Sequence, residues 1–296
     1  MKRILKFIIN EKYDKRPILD VLQNKFRMSS GLISALKKTP DGILVSGEKK
    51  TVRYILSKGD SLELTIKEGA SENIEPKEMP IEVIYEDEDL LFVNKPYDMP
   101  THTSIGHHED TLSNAVLYYL NKNGEPHTFH AVTRLDKDTS GVVLIAKNRY
   151  AHDLLSRLIR EDKIKKTYLA VVMGNLSGSG EVNEPIARED ESIIKRKVSP
   201  DGQSALTIYN ALKSGSAYSL VGLNLKTGRT HQIRVHMSHI GHPLAGDVMY
   251  GGDTSVKRHL LHCKSLEFVH PITNENIKVL APLPDDFKGF TEKIGL

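Results

Sequence analysis

The sequence predicts an α+β protein: a small mixed module followed by a larger domain built mainly on an antiparallel sheet with flanking helices. Three observations carry this reading. Strand-like runs outnumber helix-like ones and are irregularly spaced, unlike the regular alternation of a doubly wound parallel sheet. A polar stretch with two prolines, residues 68–80, interrupts the pattern and reads as a linker. The length of 296 residues suggests two domains at roughly 150 residues each. The expected division is therefore a module at 1–67, a linker at 68–80 and a large domain at 81–296.

In order along the chain, residues 17–37 read as two short helices. Ile18, Leu19, Val21 and Leu22 are apolar in the first, and Leu32, Ile33 and Leu36 in the second. Ser29-Ser30-Gly31 lies between them and can cap the second. Strand-like runs follow at 42–45, 53–56 and 61–66, the last alternating with period two after the turn Lys58-Gly59-Asp60. Beyond the linker, residues 90–94 read as a buried strand stopped by Lys95-Pro96. Thr111 caps a helix whose apolar face is Leu112, Ala115, Val116, Tyr119 and Leu120. Residues 142–146 read as another buried strand, and Ala151, Leu154, Leu155 and Leu158 mark the next helix. Further strands are expected at 168–172, 204–212, 218–226 and 277–280. Residues 231–240 fit both periods, but Gly241 and Pro243 end the segment as a helix ends. There is no internal repeat and no low-complexity tract.

Composition excludes several classes. With 39% hydrophobic and 27% charged residues the chain can bury a core unaided. The single cysteine, Cys263, rules out a disulfide framework and any multi-thiolate metal site, and it suits a reducing compartment. The first ten residues start basic, but Lys6 breaks their apolar run, which is too short for a signal peptide. No stretch approaches the ~20 apolar residues that span a bilayer. A cytoplasmic protein with no membrane partner is expected.

The formal charge of +3 conceals strong segregation. Residues 1–58 hold 14 Lys/Arg against 5 Asp/Glu, a net of +9, and residues 60–98 hold 3 against 12, a net of −9. Residues 133–170 (9 against 5) and 188–242 (8 against 4) are each +4. One basic stretch can be a solvated helix face. A +9 block within 58 residues is the electrostatic footprint of a polyanion-binding module, so a nucleic acid is the expected partner.

Three polar clusters sit in apolar frames. Thr133-Arg134-Leu135-Asp136-Lys137-Asp138-Thr139-Ser140-Gly141 directly precedes the strand at 142–146. Such residues make ordinary turns, but loops on a rigid strand also carry catalytic groups, and an arginine near an aspartate keeps the carboxylate ionised. Lys226-Thr227-Gly228-Arg229-Thr230-His231-Gln232-Ile233-Arg234-Val235-His236 opens a helix with a set of donors suited to an anion; a polar helix start is the plainer alternative. Lys165-Lys166-Thr167-Tyr168 stands at a strand entrance. His102, His107, His108, His127 and His130 cluster within 29 residues but lack the spacing of a metal site, so no metal is expected. Residues 174–180 are glycine-rich but lack the Lys-Ser/Thr ending of a phosphate loop, and they read as a hairpin turn.

With these clusters in order, the chain resembles the ribosomal large-subunit (RluA/RluD-like) RNA pseudouridine synthases over about residues 80–288. The resemblance rests on Arg134–Gly141, Lys166-Thr167-Tyr168-Leu169-Ala170 and Thr227–His236, with support from Asn94-Lys95-Pro96, Ile240–Asp247 and the tail from His270 to Pro284. The first 65 residues resemble the small alpha-L RNA-binding module often fused ahead of such domains. The usual basic start of its second helix is here Met28-Ser29-Ser30-Gly31-Leu32-Ile33. Thr133 stands where the family commonly has histidine, and Tyr97-Asp98-Met99-Pro100 replaces a small-residue stretch.

The resemblance implies an isomerase that converts uridines in structured RNA to pseudouridine, with no cofactor and no metal. It implies Asp136 as catalytic nucleophile or base, Arg234 pairing with it, Tyr168 stacking on the uracil and assisting the last proton removal, and Arg134 filling the space an extruded base leaves. Lys166, Arg229, Thr230, His231 and Gln232 are the expected RNA contacts. Ribosomal RNA is the expected substrate, with transfer RNA as the alternative, and the enzyme is expected to act as a monomer. Two other classes fit less of the sequence. A non-catalytic RNA-binding protein leaves the Asp136, Tyr168 and Arg234 set unexplained, and a histidine-dependent metallohydrolase lacks the ligand spacing.

Overall fold

The computed structural model describes residues 2–71, 73–122, 124 and 126–296. The chain begins with a strand the sequence reading did not anticipate, β1 (Lys2–Ile8). It alternates Lys2, Ile4 and Lys6 with Arg3, Leu5 and Phe7, and pairs antiparallel along its whole length with β4. Helices α1 (Ile18–Asn24) and α2 (Ser30–Lys38) follow, then β2 (Ile43–Val45), β3 (Glu48–Lys49) and β4 (Ser61–Lys67), in a sheet ordered β1-β4-β2-β3. Ser29 caps α2 by accepting from the Leu32 amide at 3.2 Å. Residues 53–56, expected as a strand, make only one bridge, Ile55 to Pro17, because the segment turns to cover the helices rather than pairing along its length.

The larger part runs β5 (Glu82–Glu86), β6 (Leu90–Lys95), α3 (Leu112–Asn121), β7 (His130–Ala131), β8 (Ser140–Ala146), α4 (Arg149–Arg160) and β9 (Lys165–Met173). It continues with β10 (Ser179–Asn183), the hairpin β11 (Ile186–Arg188) and β12 (Arg196–Val198), then β13 (Leu206–Ser214), β14 (Tyr218–Leu225) and α5 (Gln232–His239). Strands β15 (Leu261–Val269) and β16 (Asn276–Leu280) and helix α6 (Asp285–Lys293) complete it. Thr111 caps α3 in a reciprocal capping box with Asn114, as its position suggested. The glycine-rich run 174–180 is not a hairpin: β10 pairs with β13, so β13 and β14 lie between β9 and β10.

The large sheet is ordered β10-β13-β14-β9-β15-β8-β6-β5, with β16 on β15 and β7 on β8. Every pairing is antiparallel except β8 with β15. That seam joins two antiparallel halves and aligns Gly141 with Cys263, while across β15 the same Cys263 faces Tyr168. Residues 142–146 are fully buried here, which is why they read as a continuous apolar run.

The segment expected as a linker is irregular in conformation but laid down on the large sheet. Glu68 accepts from the Arg149 amide and pairs with His130, Ser71 bonds to residues 127 and 129, and Asn114 donates to the Glu75 carbonyl. The first module is docked as well. Arg3 makes a bidentate pair with Asp89 at 2.8 and 2.9 Å, and Tyr150 and Leu154 of α4 are buried in the module's own apolar cluster. Among the described residues no helix is long and apolar enough to cross a membrane.

A Cβ on Gly141 would lie 2.2 Å from the Cys263 carbonyl oxygen, and its φ of +114° disfavours any side chain. Gly141→Ala should therefore force the seam apart and destabilise the protein by about 3 kcal/mol. Urea denaturation would check this, and a variant as stable as wild type would show the seam to be compliant.

Candidate active site

A cleft of about 540 Å³ opens between the loop before β8, the start of α5 and the last turn of α4. The Asp136 side chain, 23% exposed, forms part of its wall. The loop that carries it is anchored at nearly every peptide. Thr101 Oγ1 donates to the Leu135 carbonyl at 2.8 Å and accepts from the Leu135 amide at 3.2 Å. Arg258 donates to the Asp138 carbonyl at 2.9 Å, and Thr139 Oγ1 lies 2.8 Å from His259 Nε2. Lys95, fully buried at the end of β6, donates to the carbonyls of Pro96, Met99 and Lys137 at 2.8, 2.8 and 3.0 Å. Burial pulls the Lys95 ammonium down to about 7 against the opposing pull of Asp136 and Asp138.

Facing Asp136 is the polar start of α5. Arg234 Nη1 is 3.6 Å from Asp136 Oδ2, so the expected pairing is present. It is the weaker of two. Arg234 makes its close bidentate pair with buried Asp247, Nε to Oδ2 at 2.7 Å and Nη2 to Oδ1 at 2.8 Å, and its guanidinium lies 4.9 Å from the centre of the Tyr250 ring. Asp247 fixes Arg234, and only its remaining nitrogen is directed at Asp136. The sequence reading quoted Asp247 without giving it a role. Its 13-residue separation from Arg234 follows no helical or strand period, and only the chain's return through Gly241 and Pro243 brings the two together.

The expected RNA contacts divide. Lys166 and Thr230 line the cleft, and Arg134 Nη2 reaches Thr230 Oγ1 at 3.5 Å on its exposed rim. Arg229 is exposed, with Nε bound to the Ser204 carbonyl at 3.0 Å. Gln232 and His231 line the cleft as well, each with partners inside the protein. Gln232 is buried and its amide is spent within the protein: Oε1 accepts from Thr227 and from the Arg229 amide, and Nε2 donates to the Leu206 carbonyl and Thr207. It braces the loop from within the cleft wall. His231 points inward, Nδ1 at 2.8 Å from the Tyr250 hydroxyl and Nε2 at 3.8 Å from Asp136. Burial lowers its pKa, which favours the neutral imidazole.

Tyr168 lines the cleft beside Cys263. Burial first, then Cys263 and Asp136, raise its phenol well above the usual range, so it stands as a neutral O–H. Thr133 accepts from the Leu144 amide at 2.9 Å and closes the end of β8. Tyr97 carries the Arg258 guanidinium 4.7 Å over its ring. Four of the five clustered histidines take separate partners: His107 pairs with Asp110, His130 with Glu68, His127 meets Asn121, and His102 packs edge-on against Phe129. Among the described residues no three His, Cys, Asp or Glu side chains are placed to hold a metal ion.

Comparison with known proteins matches this arrangement to one class. A family model described as RNA pseudouridylate synthase matches residues 89–239. An uncharacterized RNA pseudouridine synthase of Bacillus subtilis, YjbO, is 41% identical over 262 residues, covering 88% of this chain and 93% of its own. The ribosomal large subunit pseudouridine synthase D of Blochmanniella floridana is 38% identical, covering 93% and 88%. Among solved structures, human RNA pseudouridylate synthase domain containing 1 aligns with a TM-score of 0.58 at 28% identity, covering 71% of this chain and 86% of its own. The chain belongs to the RNA pseudouridylate synthase family and is an isomerase acting on RNA. Within that family it is of the RluA/RluD-like kind.

Two predictions follow from the braces around Asp136. Asp247→Ala leaves Arg234 buried without its close partner, a loss on the order of 3–5 kcal/mol, and should abolish turnover although Asp247 lies behind the guanidinium. A variant with wild-type kcat and melting temperature would refute the brace. Lys95 binds fewer protons folded than unfolded between its depressed pKa of about 7 and the ordinary Lys value near 10.4, so its contribution makes stability rise with pH across that window. Lys95→Met should remove that rise in urea titrations at pH 6.5, 8 and 9.5. Parallel wild-type and variant profiles would contradict it.

Proposed function

We propose that this enzyme isomerises uridines in structured ribosomal RNA, with Asp136 as the nucleophile or base and no cofactor or metal. The observation that carries the reading is the placing of Asp136: a part-exposed carboxylate in a cleft wall, on a loop tied down at Leu135, Lys137, Asp138 and Thr139, with one nitrogen of a locked arginine 3.6 Å away. Turning uridine into pseudouridine breaks the bond from ribose to the base nitrogen, rotates the base and rejoins it through carbon 5. Atoms and electrons are conserved, so no electron carrier or group donor is consumed. A positioned carboxylate can attack the sugar or the base covalently, or act as a base.

Each neighbour then has a task. Arg234 aims Asp136. Tyr168, in the cleft wall, supplies a ring for the uracil to stack on and a hydroxyl to assist the last proton removal. A target in folded RNA must be extruded first, at a cost of a few kcal/mol. Arg134, exposed at the rim, is the residue suited to fill the gap, since its planar guanidinium stacks on bases. We assign residues 1–67 to an alpha-L type RNA-binding module and 81–296 to the catalytic domain. Ribosomal RNA is favoured because relatives are named ribosomal large subunit pseudouridine synthase D. All the groups named come from one chain, so a monomer suffices.

Asp136→Asn should keep the fold and RNA binding while lowering pseudouridine formation by at least about 10³-fold, and a chelator should leave the wild type unaffected. Chemical mapping of pseudouridines in ribosomal RNA with and without the protein tests both activity and substrate. Modification at wild-type rate by the asparagine variant would remove Asp136 from the chemistry.

A further inference from the structure

Helix α4 joins the first module to the cleft. Its early turns are built into the module: Tyr150 and Leu154 lie in the module's apolar cluster, and Ser29 donates to Asp153. One turn later Arg157 Nη2 donates to the Arg27 carbonyl at 3.0 Å. Its last turn belongs to the cleft, where Ile159 and Arg160 line the same cavity as Asp136. Arg157 and Arg160 are three residues apart on one helix, so their side chains neighbour one another along about 5 Å of axis.

Some surface cations are neutralised within the protein and others are left free to meet a polyanion. Lys50, Lys58, Lys77, Lys147, Lys195 and Lys197 each sit against a carboxylate. Among the described residues Arg27, Arg157 and Arg160 have no such partner. The nearby Glu161 is held at 2.6 Å by Lys163 and attracts Arg27 and Arg157 only from beyond ion-pair distance. Arg27 is exposed, and its backbone is left-handed at φ +53°, where glycine or asparagine sits with less strain. The turn does not call for arginine there. Arg157 and Arg160 alone would be explained by the negative end of the helix dipole, but Arg27 lies on another element and is not.

We propose that the RNA strand leaving the cleft runs along this ridge, its phosphates contacting Arg160, then Arg157 and Arg27, so that the docked module supplies part of the substrate path. The inference deepens the functional reading above and rests on it. Because the module is fixed to α4, the distance from Arg27 to Asp136 is set by the fold, and the ridge acts as a ruler that favours targets with a strand continuing on that side. The contacts are to phosphate, so they position the RNA without reading sequence.

The test uses the full chain and unmodified large-subunit ribosomal RNA transcribed in vitro. Arg27→Asn relieves the left-handed strain and Arg160→Gln keeps a helix-forming residue, so both should melt no lower than wild type by more than a degree or two. Each should raise KM about 3- to 10-fold with kcat within twofold, and should reduce the slope of log affinity against log salt by about 0.7, the value for one lost single-strand phosphate contact. Lys278→Ala, an exposed cation paired with Glu267 on β16, should change neither. Unchanged KM and salt slope in both arginine variants, with the wild type turning over, would overturn the ridge alone. No pseudouridine from the wild type would overturn the functional reading and the ridge with it.

Discussion

The parallel seam between β8 and β15 is the constraint on which the site depends. Antiparallel pairing builds both halves of the large sheet, and among the described strands the β8–β15 pairing is the one that joins them. It is close enough to require glycine at 141, with no room for even a methyl group beside the Cys263 carbonyl. One residue of β15 thereby fixes two others: Cys263 lies against Gly141 on one side and Tyr168 on the other. The loop that ends at β8 carries Asp136, so the seam sets the carboxylate and the aromatic ring of the cleft in a common frame. Short connections from strand ends to reactive groups suit chemistry that needs sub-ångström placement.

Around that frame, electrostatics does the fine positioning with buried ion pairs whose value lies in geometry. Arg234 with Asp247 and Arg258 with Asp286 are both bidentate. Each arginine spends its fork on a structural carboxylate and keeps nitrogen for the loop that carries Asp136, Arg234 toward the Asp136 side chain and Arg258 for the Asp138 carbonyl. A guanidinium is suited to this because its donors are held in one rigid plane; fixing two of them fixes the rest. Lys95 does the same with three carbonyls at the mouth of β6. Such pairs add little net stability, since desolvation offsets attraction, but a missing partner is costly, so they hold one arrangement against alternatives.

How much of this could be read from the sequence followed how local each signal was. The Thr111 cap, the Ser29 cap and the buried run 142–146 depend on residues within a few positions, and the structure has them where the spacing put them. Strand β1 was passed over because its lysines mask a period-two pattern, and β15 because Lys264 and Glu267 interrupt an otherwise apolar run. Sequence cannot show that Thr227, Arg229, Leu206 and Thr207 close around the Gln232 amide. Asp247 was invisible as a partner of Arg234 for the same reason: the pair exists only once the chain has turned back. Residue identities were legible in the cluster that carries Asp136, and the braces that aim it were not.

The charge segregation acquires a structural meaning from the docking. The acidic block 60–98 includes Glu88 and Asp89, and both take Arg3 from the basic block 1–58. Asp41 likewise takes Lys2 and Lys67 at the module's own edge. Part of the near-neutral sum is therefore direct pairing, in which positive charge on one face of the module is consumed in holding it to the sheet. Beside the cleft, Arg157 and Arg160 on α4 and the neighbouring Arg27 are left without a carboxylate at ion-pair distance. Segregation of this kind guides a charged substrate to one orientation before any base is read, which net charge cannot do.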